Sequence, residues 1–178
     1  MGDRDESEDI VARQLTNPTH RTDVVVVGAG CAGAATALLL ASAGHDVVLV
    51  DRSALPSDTL STHALGMLVA PRRHVLDPLL VEAAVAAGAR LTTGVTVDGV
   101  RRRFDGRVTG ITGRSDNHVV EISARFVVGG HGISVAFRDA ELLAAALDDV
   151  IRGKDDERSA LADYHAMRDS RLPTPGGP

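Results

Sequence analysis

Gly28, Gly30 and Gly33 stand in the spacing G-x-G-x-x-G, and Asp51 follows 18 residues after the last of them. Glycine at the first position permits a tight turn. At the second it removes the side chain that would block an approaching pyrophosphate, and at the third it lets a helix pack close to a strand. The chemistry this favours is anion binding, because a helix that starts in such a turn offers N–H groups without helical partners and the positive end of its dipole. A carboxylate at Asp51 is placed to accept both hydroxyls of an adenosine ribose. Ala29, Cys31 and Ala32 fill the rest of the turn, and Arg52 follows the acid. The glycines alone are a weak signal, so the elements around them decide.

Those elements stand in the right order. Val24 to Val27 reads as a short strand buried on both faces, as in parallel sheets. The small, apolar run Ala34 to Ala43 is helical in composition and closes at Gly44, a residue suited to helix C-termini. A second strand, Asp46 to Val50, ends in Asp51. Strand, glycine turn, helix, strand and acid together make a βαβ unit of dinucleotide-binding size. The bland alternative is a structural βαβ turn that binds nothing.

Composition narrows the function classes. The 178 residues suffice for one domain with a real core, and 44% hydrophobic with 24% charged residues is typical of a globular protein. Aromatic residues make up only 2%, and the formal net charge is −5. Together these argue against a nucleic-acid partner, a base-stacking platform and an anionic membrane surface. A single cysteine, Cys31, excludes an internal disulfide and suits a reducing cytoplasm. It lies at a helix N-terminus, where its pKa could fall, but a small residue filling a tight turn is the simpler role. The seven histidines show no ligand spacing with one another or with Cys31, so no metal is expected. No apolar run is long enough to span a bilayer, and the acidic N-terminus does not read as a signal peptide.

The rest of the chain divides by composition. Residues 1–22 read as a disordered leader, 23–170 as a single domain and 171–178 as a disordered tail. After Asp51 a loop punctuated by Pro56, Gly66 and Pro71 carries His63, Arg72 and Arg73. Asp77-Pro78 is expected to cap and start a helix whose stripe is Leu79, Leu80, Ala83, Ala84 and Ala87, ending at Gly88. Ala89 to Thr92 suits a third parallel strand. Val95 to Ile122 reads as a three-stranded antiparallel meander with turns at Asp105-Gly106 and Ser115–Asn117. Arg101, Arg102 and Arg103 are expected to charge its solvated edge. Phe126 to Val128 then returns as a separate buried strand. A helix from Ala136, with Ala140, Leu143, Leu147 and Val150 on one face, and a polar helix from about Asp155 to Ser170 complete the chain.

Four stretches carry a family resemblance: DVVVVGAGCAGAATALLLASAGHDVVLVDR, DTLSTH at Asp58 to His63, PRRHVLDPLLVEAAVAAGA, and HGISVAFRDAELLAAAL. The chain resembles the FAD-dependent oxidoreductases of the aromatic-hydroxylase type, including geranylgeranyl-reductase-like members. The resemblance implies a Rossmann-like α/β FAD-binding domain, with a parallel sheet and the β-meander as crossover. It also implies that Asp51 meets the ribose, that Arg72 or Arg73 lies near the flavin, and that the helix led by Gly132 and Ile133 points its N-terminus at the flavin ring. His63 is the only candidate for a catalytic group that it raises. The activity implied is flavin reduction by NAD(P)H, followed by O2-dependent hydroxylation or double-bond reduction of a small organic substrate. The departures are as specific. Only seven residues separate His63 from Pro71, where family members carry substrate-facing structure. Gly130-His131 stands where they show Asp-Gly, and their Gly-Asp motif is absent. The substrate domain is thus largely missing. Two other readings remain beside the oxidoreductase: an inactive nucleotide-binding relative, and an NAD-binding module, in which Asp51 would repel a 2′-phosphate. A homo-oligomer is a further expectation, since loss of a domain exposes apolar surface.

Overall fold

A computed structural model describes residues 21–53, 73–116, 118–129 and 136–169. His63, Arg72, Gly132 and Ile133, with most of the leader and the tail, lie outside the described residues. In chain order the elements are β1 Arg21–Val27, α1 Cys31–Ser42, β2 Val47–Val50, α2 Arg73–Ala86, β3 Arg90–Thr92 and β4 Thr96–Arg102. They continue with β5 Val108–Ser115, β6 His118–Gly129, α3 Ala136–Ile151 and α4 Glu157–Asp169.

The strands form one mixed sheet in the order β3-β2-β1-β6-β5-β4. β1 runs parallel to β2, with Val24 beside Val47, and parallel to β6, with Val24 beside Phe126. The valine run in β1 explains its central place, because alternate residues are buried in two different clusters. Val24 and Val26 join Val47, Leu49 and Phe126 against Ala34, Ala37 and Leu40 of α1, Val81 and Ala84 of α2, and Leu147 and Val150 of α3. Val25 joins Val48, Val50, Ile111, Ile122 and Ala124 in a second cluster. The all-valine second half of β1 suits burial on both sides.

The α/β, Rossmann-like class and the meander are as expected, with corrections at element boundaries. β1 starts at Arg21 rather than Val24: Thr22 is buried, pairs with Ala124 and donates its hydroxyl to the Asp46 carbonyl. The third meander strand and the returning strand are one strand, β6. Its first half pairs antiparallel with β5 and its second half parallel with β1. No breaker lies between Ile122 and Phe126, and Ile122, Ala124 and Phe126 stay buried in unbroken alternation. α2 also starts earlier than Asp77-Pro78, so Pro78 sits inside the helix.

Helix C-termini follow the expected chemistry. Gly44 donates to the Ala41 carbonyl at 2.8 Å and His45 to the Leu40 carbonyl at 3.1 Å, the paired bonds of a Schellman motif closing α1. The same pair closes α2 through Gly88 and Ala89. β4 is one edge of the sheet, with Arg102 and the following Arg103 exposed and register shifts between Val97 and Gly99 and between Arg101 and Arg102. Charge and bulges both discourage pairing with a foreign strand.

Candidate nucleotide site

The site lies at the carboxyl ends of β1, β2 and β3, the edge where open α/β sheets bind ligands. β1 ends at Val27, and Gly28 turns the chain with φ at 99° while donating its N–H to the Val50 carbonyl at 2.8 Å. A residue with a side chain is disfavoured at that φ. Gly30 is the N-cap of α1 in extended conformation, and no side chain caps the helix. The helical ladder begins with the Ala34 N–H donating to the Gly30 carbonyl at 2.9 Å, and the first turn contains no acid. A helix start with no side-chain cap, N–H groups that have no partner within the helix, and no acid among its own first-turn residues is an electrostatic match for phosphate.

Gly33 sets how close the helix comes. A Cβ built on it would lie 1.9 Å from the Gly28 carbonyl oxygen, so α1 docks on the turn at a distance open only to glycine. Ala29 and Cys31 are buried at 1% and 2% exposure, while Gly28, Gly30 and Ala32 are half-buried.

Asp51 is brought to the same place from β2. Its Oδ2 accepts the Ala29 N–H at 2.6 Å, and its Oδ1 accepts the Ser53 N–H at 2.8 Å. Its backbone is tied on both sides, donating to the Thr92 carbonyl and accepting from Val95 N–H, each at 3.0 Å. Arg52 beside it is exposed. Thr92 Oγ1, at the end of β3, is buried and makes no hydrogen bond among the described residues, leaving polar capacity at this edge.

Cys31 Sγ donates to Asp77 Oδ1 at 2.9 Å, and both residues are buried. The contact joins the first residue of α1 to α2. Asp77 is therefore a site-supporting residue rather than the helix cap its sequence context suggests. Among the described residues no group of three His, Cys, Asp or Glu side chains could hold a metal ion. No described helix is long and apolar enough to cross a membrane.

At the opposite end of α1, His45 Nε2 and Asp148 Oδ1 lie 2.7 Å apart. Arg152 Nε donates to the same Oδ1 at 2.6 Å, and its terminal nitrogen donates to the Ala43 carbonyl at 2.6 Å. The Arg152 bond, with help from His45 and Lys154, outweighs burial and pulls the Asp148 carboxyl down to about 2. This cluster ties α3 to the β1–α1–β2 unit and lies away from the glycine turn.

Residues 23–79 match the family described as FAD dependent oxidoreductase. Digeranylgeranylglycerophospholipid reductase 2 of Methanopyrus kandleri is 31% identical, over 62% of this chain and 37% of its own length. The glycerol-3-phosphate dehydrogenase from Bacillus halodurans complexed with FAD is 18% identical, with a TM-score of 0.60 over 76% of this chain and 39% of that one. The myxobacterial chondrochloren halogenase CndH, a FAD-dependent halogenase, is 18% identical, with a TM-score of 0.57 over 64% of this chain and 38% of that one. The chain thus spans less than half the length of each of these proteins. The likeness to the two structures is one of fold.

Proposed function

We infer, from a chain whose residues 23–79 match the FAD dependent oxidoreductase family, that the described domain binds FAD by its ADP half. The carrying observation is the glycine turn with its uncapped helix start, held against the Asp51 carboxylate. First-turn N–H groups and the helix dipole would hold the pyrophosphate, the bare Gly30 position would admit it, and the free lone pairs of Asp51 would accept ribose hydroxyls. Bound there, the flavin supplies the capacity to take a hydride from NAD(P)H and to pass reducing equivalents to O2 or to a double bond. The finer activity we propose is oxidation or reduction of a small organic substrate by the reduced cofactor. Burial of the β1 and β2 valines behind the turn supports the protein's part, which is to fix the nucleotide on a rigid sheet edge.

The test is one preparation of the purified chain. Its visible spectrum is recorded, and FAD, ADP and NADH are then titrated against it. Flavin absorbance that stays with the protein, and ADP competing for the same site, are expected. Binding of NADH without FAD would replace this reading with a nicotinamide module, and binding of none of the three would leave a structural βαβ turn.

A further inference from the structure

We propose that Asp51 is a positioning residue for the phosphate subsite, because its carboxylate fixes the Ala29 peptide and so sets the glycine turn. The inference rests on the nucleotide reading above and concerns how that site is built. The 2.6 Å contact from Ala29 N–H to Asp51 Oδ2 is a short, charge-assisted hydrogen bond. The carboxylate has little freedom to leave it. Its other oxygen is engaged by Ser53 N–H, and its backbone is bonded to Thr92 and Val95. The preceding amide, Gly28 N–H, is tied to the Val50 carbonyl. Two successive amides of the turn are therefore anchored on the end of β2, one through a backbone carbonyl and one through the Asp51 side chain.

The anchoring has two consequences. The Ala29 N–H is spent on the protein, so phosphate must be met by amides later in the turn and in the first turn of α1. The orientation of those amides depends in turn on the plane of the Ala29 peptide. Each carboxylate oxygen keeps lone-pair capacity beyond the backbone bond it accepts, and ribose hydroxyls can use it. Asp51 thus acts on a nucleotide at two places: directly at the ribose, and through Ala29 at the phosphates. A residue acting at the ribose alone would have no effect on a ligand that lacks ribose hydroxyls.

That difference is the test. Binding of ADP and of 2′,3′-dideoxy-ADP is measured for the wild-type chain and for Asp51→Ala and Asp51→Asn, with far-UV circular dichroism to confirm folding. Amide hydrogen exchange at Ala29 and Gly28 is followed without ligand. Asp51→Ala is expected to weaken 2′,3′-dideoxy-ADP about tenfold, equivalent to about 1.4 kcal/mol. It should also unprotect the Ala29 amide while Gly28 stays protected. Asp51→Asn keeps one acceptor for Ala29 and should bring the dideoxy ligand back to within about threefold of wild type, which is under 1 kcal/mol. If Asp51→Ala, or Asp51→Asn should the alanine variant not fold, weakens ADP alone and leaves Ala29 exchange unchanged, the positioning role is overturned. A wild-type chain that binds neither nucleotide sinks the nucleotide reading instead, and Ala29 exchange then decides by itself whether the carboxylate holds the turn.

Discussion

Gly33 and the Gly28 carbonyl are in such close contact that a single methyl group cannot be placed between them: a Cβ on Gly33 would lie 1.9 Å from that oxygen. The obstacle is backbone, which cannot swing away as a side-chain end could. Gly33→Ala must therefore push α1 off the turn. It is expected to cost at least about 2 kcal/mol, in the upper part of the range for overpacking, and to abolish FAD binding. Gly44→Ala is the control, because Gly44 has φ +87° and no atom within 4 Å of its Cβ position. It should cost about 1 kcal/mol through backbone conformation alone and leave nucleotide binding intact. Urea denaturation with a parallel FAD titration reads both.

Gly30 separates function from stability in the opposite sense. Its backbone is extended, with φ −75° and ψ 179°, a conformation any residue adopts. Gly30→Ala should therefore fold, losing no more than about 1 kcal/mol because alanine is a poorer N-cap than glycine. In the proposed site the second glycine of the turn is where the backbone meets the pyrophosphate, so a methyl group there should lower FAD and ADP binding about tenfold or more, at least 1.4 kcal/mol. Loss of stability without loss of binding would show that Gly30 serves the fold instead.

The β1–α1–β2 unit was legible because its signals are local: a valine run, three glycines and an acid at the end of the next strand. The start of α2 was not. Asp77-Pro78 has the local grammar of a helix start, but the buried contact from Cys31 to Asp77 is tertiary and leaves no trace in neighbouring residues. The continuity of β6 was hidden differently. What changes at Ser123 is the pairing partner, from β5 to β1, while the strand itself and its alternation run on. At the site, residue types revealed the glycines and Asp51, but not that Ala29 and Ser53 amides occupy the carboxylate. Backbone amides are the same at every non-proline residue, so their use as partners has no sequence signature.

Cys31 offers a test of that tertiary contact. At 2% exposure its thiol should react with a water-soluble disulfide reagent only when the protein opens. Cys31→Ser keeps a donor of similar shape for Asp77 and should leave the denaturation midpoint nearly unchanged. Cys31→Ala removes the donor beside a buried carboxylate that keeps its other interactions, so a loss of about 1 kcal/mol is expected. Equal stability of the two variants would mean that the sulfur only fills space.

Acid should loosen the opposite end of α1 in a defined window. The folded-state carboxyl of Asp148 titrates at about 2, below the ordinary value of 3.8, chiefly because Arg152 donates to it. Between those values the unfolded chain binds the proton more readily than the folded one. Stability contributed by Asp148 is therefore complete above about pH 4 and is lost as pH falls toward 2. The side chain is 22% exposed and its arginine partner 47%, so solvent screening reduces the contribution to the order of 1 kcal/mol. Asp148→Asn cannot titrate and should flatten that part of the pH profile of the urea midpoint, with the largest difference from wild type near neutral pH and convergence near pH 2. FAD affinity at neutral pH should be the same in both proteins, since the cluster lies at the far end of α1 from the turn. A pH profile that stays parallel in the two proteins between 4 and 2 would show that the carboxylate of Asp148 is not what couples α3 to the βαβ unit.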